Sequence, residues 1–174
     1  YNILIQGINF LSFTFLARFL DPSEFGLVAI ITVFSGFLII FSDAGLSYAV
    51  VREDFEEEFL EKLNVLSILI GILLMSTLLL LAKPIAWMYD SDDLFLPAIS
   101  LSSMFLLQSI FLIPKAKMQK QMAFNKMGRF MAIGQTVVSV VAVTMAYLGY
   151  SYWSLIFSQI IGLIIQAILF IKHK

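Results

Sequence analysis

The chain has 174 residues, 60% of them hydrophobic and 13% charged, with a formal net charge of −1 and a mean hydropathy of +0.95. Soluble domains run nearer 45–50% apolar and about 25% charged, so a soluble domain is excluded and an all-α integral membrane protein is expected. With no cysteine and one histidine, His173, beside the C-terminus, the sequence offers no disulfide framework, no thiolate or histidine metal centre and no histidine-based triad; no metal or other cofactor is expected.

A spanning helix needs about 20 mostly apolar residues. Six stretches qualify, at about 1–19, 22–42, 63–82, 94–113, 130–148 and 153–171. The first carries Asn2, Gln6 and Asn9 on one narrow face. It leads into "RFLDPSEFG", residues 18–26, which reads as a tight turn and a helix start. Asp21 suits the N-cap, Pro22 the first helical position and Glu24 the third, a capping box in its Asp form. Leu20 and Phe25 hold the two hydrophobic-staple positions. For Arg18 two readings stand. Its side chain snorkels to the headgroups, or it points into a cavity and grips a phosphate with its planar fork.

The second span either stops at Ser42 or continues toward Val51, because "SDAG", 42–45, interrupts it. Asp43 lies about 13 Å of helix before Arg52. An ionised Asp inside a span costs about 3 kcal/mol on the insertion scale. One reading makes it the cap of a broken helix, with 46–51 lying at the interface. The other makes it a coupling group for H+ or Na+, since such residues face cavities or partners. "DFEE", 54–57, repeats the capping device ahead of the third span, and the acids over 53–61 read as a solvated helix entry.

The connection over 114–129 holds Lys115, Lys117, Lys120, Lys126 and Arg129. It reads as a topogenic, lipid-facing basic patch, or as an attractor for a diphosphate-bearing lipid headgroup. The uncharged stretch 130–171 would make a helix of roughly 60 Å, so it must fold back, and "GYSY", 149–152, is its turn. Gln159 and Gln166 share a face of the last span, with Gly162 between them. The amide faces of the first and last spans either glue helices together or form a polar cavity wall; Asn9 and Gln159 are the candidate cargo contacts.

Six spans place Arg52, Lys62, the 114–129 patch, Lys172 and Lys174 on one side, and only Arg18 and Lys83 on the other. The positive-inside rule then puts both ends in the cytoplasm. Trp87, Tyr89, Tyr150, Tyr152 and Trp153 fall on the opposite side, as an interfacial aromatic belt would. The chain begins inside an apolar run without a Met and stops just after another, so it is expected to be a fragment of a longer protein.

The segment "LARFLDPSEFGLVAIITVFSGFLIIFSDAGLSYAVVRE", 16–53, resembles the start of the polysaccharide exporters of the multidrug/oligosaccharidyl-lipid/polysaccharide superfamily. It is similar above all to the Wzx-type O-antigen and exopolysaccharide flippases. That family shows an "LAR-L-P-(D/E)-(F/Y)-G" turn and a later "SD-GL--A-V-(Q/R)" segment. "PIAWMYDSDDLFLPAISLSSMFLLQSIFLIPKAKMQKQMAF" and "GYSYWSLIFSQIIGLIIQAIL" resemble its third-to-fourth-helix hairpin and its entry to the sixth helix. The usual arginine of the fourth-helix exit is replaced by Lys120 or its neighbours, which keep the charge and lose the planar fork. Arg18, Asp43 and Arg52 occupy positions of the family's motif.

The resemblance implies that this chain is the N-terminal six-helix lobe of a two-lobe exporter in the bacterial inner membrane. It implies a role in moving undecaprenyl-diphosphate-linked glycan from the inner to the outer leaflet by alternating access. Its partners would then be lipid-linked oligosaccharide, membrane lipids and the missing C-terminal lobe, with no nucleic acid. On that reading Arg18 and Arg52 bracket the second helix as substrate contacts. The alternative is a multidrug or other small-molecule exporter of the same superfamily, which calls for an acid-lined cavity with Asp43 as coupling group. A membrane enzyme is disfavoured, because no nucleophile–base pair is visible.

Overall fold

The computed structural model describes residues 2–172, with side chains from residue 5 onward. The expectations placed on Tyr1, the Asn2 side chain, His173 and Lys174 lie outside the described residues. Seven α-helices follow one another: α1 (Asn2–Leu16), α2 (Pro22–Ser42), α3 (Leu46–Arg52), α4 (Glu57–Met88), α5 (Phe95–Lys120), α6 (Phe124–Tyr147) and α7 (Trp153–Lys172). A 3-10 turn, Asp92–Leu94, precedes α5. Pro22–Arg52, Glu57–Met88, Asp92–Lys120, Phe124–Tyr147 and Trp153–Lys172 are each long and apolar enough to cross a membrane, and Ile5–Leu16 is apolar and shorter. With α3 as a short continuation of α2, the architecture is an all-α bundle of six helices, as expected.

The two ends of α2 follow their local chemistry. At its start a capping box forms, in which Glu24 Oε2 accepts the Asp21 N–H at 2.9 Å. The staple residue Leu20 is buried with Leu16, Ala142 and Ala146, and Phe25 packs against them. At its end the chain breaks. Ala44 and Gly45 take positive φ values of 46° and 79°. Glycine holds the second position without the Cβ penalty that any other L-residue would carry there. Asp43 Oδ1 then accepts the Ser47 N–H at 2.8 Å, satisfying a donor in the first turn of α3. Leu46 and Val50 of α3 are buried against Ile113 and Ala116 of α5.

Helices α4 and α5 pack along their length. Water is absent between membrane helices, so association rests on close packing and hydrogen bonds rather than on the hydrophobic effect. Small residues provide both here. Ser67 Oγ donates to the Ser109 main-chain oxygen at 3.0 Å. A Cβ on Gly71 would stand 2.4 Å from Ser109 Oγ and 3.0 Å from the Phe105 carbonyl oxygen, so only glycine fits that crossing. Leu74, Leu78 and Ala82 continue the seam against Ala98, Leu101 and Phe105, and Ile31 of α2 and Ile156 of α7 close the same core. A second core joins α5, α6 and α7 nearer the lysine-rich end. There Phe111 stacks on Phe170 at 5.5 Å and Phe130 meets Phe170 edge-on at 5.5 Å.

Three expectations need correction. The 114–129 connection is almost wholly helical: α5 runs through Pro114 to Lys120, and only residues 121–123 separate it from α6. Burial of Ile113 and Ala116 against α3 holds the helix across the proline, which membrane helices tolerate when neighbours restrain them. Likewise α4 continues past residue 82 through Pro84 to Met88, with Ile85 and Ala86 buried. "DFEE" forms no capping box. Helix α4 is capped at Glu56 without a side-chain hydrogen bond, because Asp54 and Glu57 are drawn instead to lysines of α5.

Candidate substrate cleft

Joined by a tight turn, α1 and α2 nevertheless diverge. Helix α1 packs on α6, whereas α2 packs on α5 and α4. A cleft of about 530 Å³ remains between them, floored by α6 and α7. Asn9, Ser12, Thr32, Gln135, Ser139, Ser158 and Gln159 give it its polar character, and Phe13, Leu16, Phe25 and Val28 its apolar end. Phe13 and Phe25 stand 5.4 Å apart, ring centre to ring centre, across that end. Behind them Glu24 Oε1 accepts the Ser151 hydroxyl hydrogen, which ties the α1–α2 turn to the α6–α7 turn. The aromatic-belt end is therefore fastened by both apolar and polar contacts.

Within the cleft, Gln135 Nε2 donates to Asn9 Oδ1 at 2.6 Å, bridging α6 to α1. Ser12 and Thr32 donate to carbonyl oxygens of their own helices, Ile8 and Val28, both at 2.8 Å. The buried Ser139 Oγ has no hydrogen-bond partner among the described residues. Gln159 lies on the same wall. So Asn9 of α1 and Gln159 of α7 line one cleft, with Gln135 and Ser139 of α6 between them. Sequence reading missed Gln135 and Ser139. They stand four residues apart, hence on one helical face, and that spacing within the uncharged part of α6 was the available signal. The cleft lining contains no carboxylate, ammonium or guanidinium group.

The charged candidates lie elsewhere. Arg18 is exposed in the α1–α2 turn and outside the cleft lining. Arg52, at the other end of the α2–α3 segment, has a side chain 69% exposed, 3.9 Å from Glu53. Asp43 is half-buried in the break between α2 and α3. Gln6 is exposed, and Gln166 lies lower on α7, against α5 and the end of α2. The acids over 53–61 and the lysines of α5, separate in sequence, meet in space. Lys117 Nζ contacts both oxygens of Glu57 at 2.8 Å. Lys120 Nζ lies 2.7 Å from Asp54 and also donates to the Glu53 main-chain oxygen. The hydrogen bond and charge of Lys120 hold the Asp54 carboxyl below its usual 3.8. Lys126 and Arg129 are exposed on the first turns of α6, and Lys115 is half-buried.

Residues 15–173 match the family described as polysaccharide biosynthesis protein. The chain belongs to that family. Among its relatives is the succinoglycan biosynthesis transport protein ExoT of Rhizobium meliloti (strain 1021), 28% identical over 164 residues, or 92% of this chain and 33% of that protein. Another is the lipopolysaccharide biosynthesis protein WzxC of Escherichia coli (strain K12), 26% identical over 172 residues, or 95% of this chain and 33% of that protein. The chain thus spans about a third of the length of the curated relatives it matches. No solved structure matches it. As a member of this family built from long apolar helices, it is a multi-pass membrane protein.

Proposed function

We propose that this chain forms one six-helix lobe of a polysaccharide flippase. The protein moves undecaprenyl-diphosphate-linked glycan from the inner to the outer leaflet of a bacterial inner membrane by alternating access. The observation that carries this reading is the α1–α2 cleft. Sugars present many hydroxyls, and amide and hydroxyl side chains offer matched donors and acceptors for them. Asn9, Gln135, Ser139 and Gln159 supply such groups inside an otherwise apolar chain. The relatives' roles in succinoglycan transport and lipopolysaccharide biosynthesis support the same cargo class. A second lobe, from the remainder of the protein, completes the path. In this reading the lysine-rich ends face the cytoplasm.

An exporter of cationic small molecules would need carboxylates in the cleft, and the lining has none. We assign Asp43 to capping the α2–α3 break, where its Oδ1 is already engaged. The test is genetic and biochemical. Deleting the gene should leave lipid-linked glycan on the inner leaflet, and the full-length protein in proteoliposomes should move labelled lipid-linked oligosaccharide across the bilayer. Drug resistance on overexpression with intact polysaccharide after deletion would point to the small-molecule exporter instead.

A further inference from the structure

The lysines of α5 are not equivalent. Lys117 and Lys120 are neutralised by Glu57 and Asp54. Lys115 has no ion pair or hydrogen bond among the described residues. It lines a separate pocket of about 240 Å³ between the end of α2, α5 and α7. Gln108 and Gln166 line the same pocket, and neither side-chain amide has a partner among the described residues. The two hydroxyls present, Ser42 and Ser109, donate to Ile39 and Leu106 carbonyl oxygens at 2.8 Å each. The free donors are therefore one ammonium and two amides. No carboxylate lines the pocket. The sequence neighbour Asp43 has its Oδ1 on the Ser47 N–H.

Three features define what fits. The charge is positive and has no ion pair among the described residues, and amides of two helices line the same pocket, with Gln166 packed over Gly134 of α6, so the ligand is an anion with several acceptor oxygens. Phe111, Leu112 and Leu163 form the rest of the wall, so the ligand carries an apolar portion. Lys115 lies five residues inside the end of α5, about 8 Å along its axis, and is half-buried.

We propose that Lys115, Gln108 and Gln166 form a phosphoryl-binding pocket for an isoprenoid-diphosphate lipid at the lysine-rich face; naming that ligand rests on the flippase reading. Lys115 holds the charge and the two amides orient the non-bridging oxygens, while the α1–α2 cleft takes the sugars.

The test uses the full-length protein in phosphatidylcholine nanodiscs, titrated with farnesyl diphosphate and, as the uncharged arm, farnesol. Wild type should bind the diphosphate and not farnesol. Lys115→Met should weaken binding about tenfold or more, the cost of a lost charge-assisted contact. Lys115→Arg, which keeps charge and donors, should stay within about threefold and shows that the site tolerates substitution. Lys62→Met, an equal charge change on an exposed side chain of the same face, should stay within about twofold because such charges are screened. Equal binding by Lys115→Met, or an equal loss in Lys62→Met, overturns the site. Displacement of farnesyl diphosphate by phosphatidylglycerol assigns the pocket to bulk anionic phospholipid and overturns the carrier-lipid assignment. Glycan transport by the same preparations separates the two ideas. Lost binding with unchanged transport overturns the pocket's role and leaves the flippase reading standing. A wild type that binds the probe and moves no glycan overturns the flippase reading and leaves the pocket.

Discussion

Two helical pairs that are neighbours in sequence behave in opposite ways. Helices α4 and α5 close on each other through Gly71, Ser67 and Ser109, with buried leucines continuing the seam. Helices α1 and α2, joined by a tighter turn, separate around a cleft lined by amides and hydroxyls. What lines each contact differs. Glycine and serine let two backbones approach until side-chain-to-backbone hydrogen bonds form across the seam. Around the α1–α2 cleft, Asn9, Gln135 and Gln159 carry donors and acceptors that one partner does not exhaust. The first pair is closely packed; the second leaves the cleft proposed above for the glycan.

The sharpest contrast is a methyl group added to each pair. Gly71→Ala forces Ser109 and the Phe105 carbonyl to move and should cost about 1–3 kcal/mol, as overpacking does. Gly36→Ala on α2 meets nothing within 4 Å and should be neutral or stabilise by up to about 1 kcal/mol through helix propensity. Unfolding of the full-length protein in a denaturing detergent titration measures both. Equal effects would erase the distinction between packed pair and cleft. Next in size is Asp43→Ala, which removes the acceptor of the Ser47 N–H and should cost about 1 kcal/mol. Asp43→Asn keeps that acceptor and should restore both stability and transport. Transport lost in Asn, at unchanged stability, would return Asp43 to a coupling role.

A smaller effect is expected of Asn9→Leu, about 0.6 kcal/mol of stability for one interhelical hydrogen bond in a membrane, read in the same titration. The smallest belongs to the ion pairs outside the bundle. Asp54 is fully exposed, so Asp54→Asn should leave stability at neutral pH unchanged within error. Its carboxyl titrates below 3.8 because Lys120 stabilises the charged form. Any stabilisation by the pair is therefore present above that value and fades only as pH falls through the lower, folded-state value. A titration curve that changes between pH 5 and 8 because of Asp54 contradicts this.

The all-helical class was legible because long apolar runs satisfy their backbone groups internally as helices. The α2 start at Asp21–Glu24 and the turn at Gly149 were legible because their signals are local. "DFEE" carries the same local signal as the α2 start and failed, because Lys117 and Lys120, some sixty residues away, compete for its carboxylates. The reach of α5 through Pro114 was hidden for the same reason, since burial against α3 decides it. Two walls of the candidate cleft were legible. Asn9 and Gln159 stood out, but their sharing of one cleft, and the α6 pair that completes it, are properties of helix packing that no single segment carries.

The most direct measurement is the initial rate at which the full-length protein moves labelled lipid-linked oligosaccharide in proteoliposomes when it carries Gln135→Leu and Gln159→Leu together, normalised to folded protein. Losing hydrogen bonds worth about 0.5–1.5 kcal/mol each should slow transport roughly tenfold, with Gly36→Ala transporting as wild type. A double variant that folds and transports at the wild-type rate contradicts the assignment of the α1–α2 cleft to the glycan.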